Sequence, residues 1–194
     1  MSEDNQGHEE SLEETKRLFV ALKVPGALKK QFAALARKDI KARWQMDDDL
    51  HITLRFLGDV PVSQIDDIEQ ALSRVRKAPF HVHVDGLDAF HKKRQSILYG
   101  RVTSSKKLTS LVAEINEKLQ DVGFEMPTRP YIPHVTLGRV NNARGLDQYV
   151  AKSGRALRAE WEATEFCLME SQPAEARESG QSKYPARKTY VLKK

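Results

Sequence analysis

Cysteine is nearly missing from this chain: 194 residues carry one, Cys167. That excludes an internal disulfide framework and suits a reducing, cytoplasmic setting. No Cys/His cluster has the spacing of a structural zinc site. Long apolar runs are missing as well. No stretch approaches transmembrane length, so no membrane association is expected. The N-terminus has no positive charge: positions 1–15 hold six acids and no Lys or Arg. A secretory signal needs the opposite charge.

What is present reads as globular. Hydrophobic residues make up 40% of the chain and charged residues 30%. This length predicts one domain or two small lobes, with enough chain for a core. The net charge of +5 understates the basic character, because six acids sit in the first fifteen residues. Without them the body carries +11. A basic body of that size fits a polyanionic partner such as nucleic acid.

Two short stretches nearly repeat each other: His51-Ile52-Thr53-Leu54 and His134-Val135-Thr136-Leu137. By chance, two such copies would arise in roughly a few sequences per ten thousand. Side chains alternate between the faces of a strand. His51 and Thr53 therefore share one face, and Ile52 and Leu54 back them with apolar surface. His134 and Thr136 repeat the arrangement. A matched pair of histidines supplies what acid–base chemistry near neutral pH requires, one group to take a proton and one to give it.

Between the motifs the pattern alternates. Residues 1–15 read as a disordered acidic tail. A strand is expected at Arg17–Lys23, and a helix follows with Leu28, Phe32 and Leu35 on one face. The first motif strand spans 50–57 and ends at Gly58-Asp59. Ser63 and Asp66 resemble a capping box before a helix bearing Ile65, Ile68, Leu72 and Val75. Phe80–Val84 alternates as a strand before a turn at Gly86, and Ser96–Val102 is another strand. Ser104 or Ser105 caps the clearest helix, which bears Leu108, Leu111, Val112, Ile115, Leu119 and Val122 on one face and ends at Gly123. The second motif strand spans 133–140. Residues 141–158 read as basic loop with room for a short helix. Trp161–Met169 and Thr189–Leu192 read as closing strands around a polar loop. The order predicts an α+β fold: two pseudo-symmetric lobes of antiparallel sheet, with flanking helices, facing each other across a central cleft. Residues 16–194 would form that single bilobal domain.

The flanks sharpen the picture. Trp44 precedes Leu50-His51-Ile52-Thr53-Leu54-Arg55-Phe56-Leu57-Gly58. Arg129-Pro130-Tyr131-Ile132-Pro133 leads into His134-Val135-Thr136-Leu137-Gly138-Arg139. Over roughly residues 16–192 the chain resembles the 2H phosphoesterase superfamily, and within it the RNA 2′,3′-cyclic phosphodiesterases (LigT-like, formerly 2′-5′ RNA ligases). The resemblance implies a bilobal fold and a monomer with no metal or other cofactor. It implies hydrolysis of a terminal 2′,3′-cyclic phosphate on RNA 3′ ends or oligonucleotides, leaving a 2′-phosphate. His51 and His134 would be the catalytic pair. The residues support the pair but not its direction; His51 is taken as general acid and His134 as general base.

Thr53 and Thr136 can donate hydrogen bonds to the non-bridging phosphate oxygens. Arg139 is a candidate phosphate clamp. Strict alternation puts it on the back face, and a bulge at Gly138 would turn it round. Tyr131 is a candidate for stacking on the terminal base. Arg55 shares the His51 face and could meet phosphate or an acid.

Three features compete with that reading. The run Asp47-Asp48-Asp49 is expected in an exposed turn, with a two-carboxylate metal site as its sharper alternative. His81 and His83 share a strand face and could chelate a metal, or simply form a polar surface. His91 lies in a basic loop with Lys92, Lys93 and Arg94, which a solvated charge run also explains. Cys167 reads as inert core. Two other functions remain open: a phosphodiesterase or ligase for 2′-5′ linkages or small cyclic nucleotides, and a non-catalytic RNA end-binding module.

Overall fold

The structure is a computed structural model that describes residues 13–36, 40–141, 144–154, 157–173, 175, 178 and 181–194. Most of the expected acidic tail, residues 1–12, lies outside them. Residues 13–15 do not belong to a free tail. The Ser63 hydroxyl donates to Glu13, the Val62 amide donates to the Glu14 carbonyl, and Thr15 opens the first strand.

In chain order the elements are β1 (Thr15–Lys23), α1 (Gly26–Ala33), β2 (Ala42–Trp44), β3 (His51–Pro61), α2 (Ile65–Ser73), β4 (Phe80–Phe90) and β5 (Ser96–Val102). They continue with α3 (Lys106–Gln120), β6 (His134–Val140), α4 (Leu146–Ser153), β7 (Arg158–Ala163), β8 (Glu165–Glu170) and β9 (Ala186–Val191). The strands form one curled antiparallel sheet in the order β7-β4-β5-β6-β3-β1-β8-β9, and β2 pairs with β6. The two motif strands, β3 and β6, are neighbours at its centre. Only Ile52 and Val135 pair between them. Four strands run outward on each side of that joint, so the sheet has two similar halves.

One face of the sheet is covered by helices. Ile52, Leu54, Val135 and Leu137 are buried there with Ile68 and Leu72 of α2 and Leu111 and Ile115 of α3. Phe32 of α1 and Leu146 of α4 join the same core. The opposite, concave face carries the alternate residues of the motif strands. β1 is buried on both faces. Leu18, Val20 and Leu22 enter the main core, while Phe19 and Ala21 pack with Cys167 and Met169 on the concave side. The Cys167 thiol is buried beside the Thr189 hydroxyl, and burial raises its pKa. That fits an inert core residue.

Several boundaries differ from the sequence pattern. β3 does not stop at Gly58 but continues to Pro61, with a register shift where Leu18 and Phe19 face Gly58 and Phe56. Gly58 has φ +82°, which a residue with a Cβ rarely adopts, so the glycine bends the strand and does not end it. β4 likewise passes Gly86 to reach Phe90. The Ser63–Asp66 capping box is absent. Ser63 lies in a 3₁₀ turn (Val62–Gln64), its hydroxyl is taken by Glu13, and the α2 N-cap, Gln64, makes no side-chain cap bond. Ser105 does cap α3, accepting from the Leu108 amide at 3.2 Å. The run Trp161–Met169 is two strands. The chain leaves β7 at one edge of the sheet and enters β8 in the other half, with Thr164 between them.

Candidate active site

The two motifs repeat in space as they do in sequence. The His51 Nδ1 lies 2.7 Å from the Asp49 carbonyl oxygen, and the His134 Nδ1 lies 2.8 Å from the Ile132 carbonyl oxygen. A carbonyl oxygen only accepts, so each Nδ1 carries the hydrogen. Each Nε2 is then left to accept a proton in the neutral ring or to donate one from the cation. Aromatic rings wall both imidazoles. Phe19 and Tyr184 lie 4.9 and 5.0 Å from the His51 ring, and Phe90 and Tyr99 lie 5.2 and 5.3 Å from the His134 ring.

These surroundings disfavour charge. Burial pushes the His51 pKa down to about 4, against smaller opposing effects from its bond to Asp49 and the Asp49 charge. Burial also lowers the His134 pKa, partly offset by the bond to Ile132. In the free protein at neutral pH, His51 is therefore a neutral imidazole.

Both histidines open into one cleft of about 630 Å³, with Thr53 and Thr136 beside them. Neither threonine hydroxyl has a partner among the described residues. Arg17, Lys92, Arg139 and Lys183 also line the cleft, and among the described residues no Asp or Glu does. The cleft is thus built for an anion. Arg17 is held to Asp59 by a two-pronged ion pair at 2.8 and 2.7 Å. Arg139 forms no ion pair among the described residues. It reaches the cleft through a bulge in β6, where Leu98 and Tyr99 face Gly138 and Thr136 and leave Leu137 extra. A Cβ on Gly138 would lie 3.3 Å from the Trp44 ring and 3.4 Å from the Arg43 carbonyl oxygen, so a side chain there would crowd β2.

Tyr131 is not brought into this cleft. It lies in an adjoining depression, partly buried against the core, with its hydroxyl inside and unpartnered. Arg55 lies in the same depression and donates to the Glu125 carbonyl at 2.5 Å, so it meets neither an acid nor the cleft.

Asp49 departs most from expectation. Asp47–Asp49 is a 3₁₀ turn, and Asp48 pairs with Lys29 near the surface, but Asp49 is buried. Its carboxylate accepts from the Ser182 hydroxyl and the Lys183 amide, both at 2.8 Å. That holds the segment carrying Tyr184 beside His51, while the Asp49 carbonyl orients His51 itself. Asp49→Ala should cost about 1–3 kcal/mol, because two part-buried donors lose the buried carboxylate that accepts from them. Asp49→Asn, which keeps one oxygen, should lose less. Chemical denaturation of the three proteins checks this order.

His81 and His83 both approach Glu160, at 2.8 and 3.6 Å, on an exposed face between β4 and β7. His91 lies 3.3 Å from Asp147. Among the described residues no three His, Cys, Asp or Glu side chains are grouped to hold a metal. No helix among them is long and apolar enough to cross a membrane.

Sequence reasoning missed Asp49 and the rings around the histidines. Phe19, Phe90 and Tyr99 lie in strands where an aromatic reads as ordinary core.

Paired His-x-Thr strands over one cationic cleft define a 2H phosphoesterase. The chain belongs to the 2′-5′ RNA ligase superfamily, whose family model matches residues 24–175. It is 33% identical over 131 residues to an RNA 2′,3′-cyclic phosphodiesterase of Thermotoga maritima, covering 64% of this chain and 70% of that one. It is 30% identical over 162 residues to one from Archaeoglobus fulgidus, covering 80% and 90%. The crystal structure of E. coli LigT complexed with 3′-AMP is similar at TM-score 0.76 and 25% identity, covering 93% of this chain and all of that one.

Proposed function

We propose that this protein hydrolyses the 2′,3′-cyclic phosphate at RNA 3′ ends to a 2′-phosphate, without a metal, with His51 and His134 as its acid–base pair. The observation that carries the reading is the mirrored Nδ1–carbonyl bond, which frees two Nε2 atoms for one cationic cleft. Relatives named RNA 2′,3′-cyclic phosphodiesterase support the reaction class.

In the proposed reaction, water attacks phosphorus in line with the bond to the 3′ oxygen. One imidazole takes the proton that the water loses. The P–O3′ bond breaks, and the other imidazole protonates the departing 3′ oxygen. The 2′-phosphate and a free 3′ hydroxyl result, and the pair keeps its single proton. Thr53 and Thr136 donate to the non-bridging oxygens, and Arg139 neutralises their charge. His51 is assigned as the acid and His134 as the base. For His51 to act as acid, the bound phosphate anion must raise its low pKa. The reading includes a cytoplasmic location, because the one cysteine is an unpaired buried thiol, and a monomeric state.

Incubation with an oligonucleotide ending in 2′,3′-cyclic phosphate, in EDTA, tests the reading. A 2′-phosphate product is expected at the untreated rate. A 3′-phosphate would overturn the choice of leaving oxygen. Activity lost on chelation and restored by one metal would overturn metal independence. Intact cyclic ends on bound RNA would leave an end-binding module, and joined ends would favour a 2′-5′ ligase.

RNA affinity should fall steeply with salt, because residues 13–194 carry +9 and, with the cleft cations, release counterions from phosphate. The slope should be shallower for a dinucleotide cyclic phosphate than for a longer oligomer. Equal slopes in a salt titration would confine the electrostatics to the cleft.

A further inference from the structure

The cationic surface does not end with the catalytic cleft. A second hollow, of about 640 Å³, adjoins it, and Arg17, Ser171 and Lys183 stand in the walls of both. The hollow gathers four cations, Lys16, Arg17, Arg43 and Lys183, and two acids, Asp59 and Glu170. Both acids are already engaged. Asp59 holds Arg17, and Glu170 takes Arg187 at 2.9 Å. Lys16 is paired with Glu14. Arg43 and Lys183 make no ion pair among the described residues. The Lys183 Nζ lies 5.2 Å over the Tyr184 ring, which itself stands against His51.

Arg43 has a second distinction. It is the middle residue of β2 and sits directly opposite Arg139 of β6. Opposite residues of an antiparallel pair share a face, with Cβ atoms about 4.5–5.5 Å apart, and like charges so placed repel. Two arginines thus rise from one rung of the sheet, Arg139 into the cleft and Arg43 into the hollow. Among the described residues no carboxylate pairs with either. Two neighbouring anions would resolve that repulsion, one for each guanidinium. An RNA end carries such a pair. Its terminal nucleotide holds the cyclic phosphate on the 2′ and 3′ oxygens and a phosphodiester on the 5′ oxygen, so the second phosphate lies one nucleotide from the first. Guanidinium matches phosphate through two parallel N–H bonds. The basic turn between β4 and β5 is the rival route for the strand, but of Lys92, Lys93 and Arg94 only Lys92 lines the cleft.

We propose that this hollow is the subsite for the phosphodiester that joins the terminal nucleotide to the one before it, with Arg43 as its bidentate ligand and Lys183 between the two phosphates. The proposal rests on the phosphodiesterase reading and deepens it. The preferred substrate is an RNA end of at least two nucleotides, not a free nucleoside cyclic phosphate.

The test compares three substrates: adenosine 2′,3′-cyclic phosphate, the dinucleotide ApA ending in the same cyclic phosphate, and that dinucleotide with a neutral methylphosphonate as its internal linkage. The wild type should prefer the dinucleotide to the nucleoside in kcat/KM by about tenfold, the scale of one hydrogen-bonded charge pair. The methylphosphonate should lose most of that preference, because it keeps the second nucleoside and removes the charge. Arg43→Gln should reduce the preference by about fivefold or more, mainly through KM, and Arg43→Glu should reduce it further. Arg43 is exposed, so its replacement leaves the core intact. Lys93→Gln removes the same charge from the basic turn and should leave the preference as it is. No preference in the wild type, a preference that survives the methylphosphonate or Arg43→Gln, or one that falls as much in Lys93→Gln overturns the subsite and leaves the phosphodiesterase standing. A wild type that hydrolyses none of the three overturns the phosphodiesterase. Calorimetry with ApA 2′-phosphate and adenosine 2′-phosphate then reads the subsite alone. Tighter binding of the dinucleotide that Arg43→Gln abolishes supports it, and equal affinities overturn it.

Discussion

His51→Ala and His134→Ala should each lower turnover of a terminal cyclic phosphate by at least about a hundredfold, the low end for losing a general acid or base. The rings around each histidine belong to other strands and loops, and each orienting carbonyl is backbone. Substitution therefore removes the proton carrier and keeps its housing. The double variant should fall well short of the product of the two losses, because the groups act as a unit. Single-turnover assays on variants shown to be folded measure both effects. Near-wild-type turnover from either would remove that histidine from the mechanism.

The second large effect lies in pH and leaving group together. The proposed reaction needs one proton on the pair. Acid halts it by adding a second proton, and alkali by removing the only one, so the rate follows a bell whose limbs belong to the pair. Burial lowers both values, His51 to about 4 and His134 below its usual 6.5. The kcat/KM bell, which reports the free protein, should therefore have its maximum on the acid side of pH 6.5. Bound phosphate anion favours charged imidazole and raises both values. The alkaline limb of kcat should accordingly lie at higher pH than that of kcat/KM. A flat profile from pH 5 to 9, with chemistry rate-limiting, would sink the two-histidine mechanism.

The bell has the same shape for either direction of proton transfer, so the leaving group must decide. A nitrophenyl ester departs without a proton. It should restore most of the hundredfold loss in the variant that lacks the acid, and little in the variant that lacks the base. Rescue of His51→Ala alone supports the assigned direction. Rescue of His134→Ala alone reverses it.

The parts of this site that were legible in the sequence are those set by short-range geometry. Alternation in His-x-Thr-Leu fixes which side chains share a face, whatever the rest of the chain does. A glycine before Arg139 marks where the strand can slip by one residue, and β6 bulges there. What stayed hidden depends on distant partners. Asp49 sits in an acidic run that reads as solvent-facing, and its buried role depends on Ser182 and Lys183, more than 130 positions away. The apolar run around Thr164 has no feature to show that its two ends serve opposite halves of the sheet. Tyr131 follows the same logic, because whether a loop aromatic faces a cleft or a core depends on what packs behind it.

The path of the chain through the two halves also orders its assembly in time. β4, β5, β6 and β7 all come from one stretch, residues 80–163. The other half joins β1 and β3, made before that stretch, to β8 and β9, made after it. On a ribosome, the His134 side can pair its strands as a local unit while the His51 side waits for the C-terminal strands, and long-range closures of that kind are slow. Tyr184, which completes the wall around His51, is made only after that whole stretch. A nascent chain can thus complete one half of its sheet before the other half, and the cleft between them, can close.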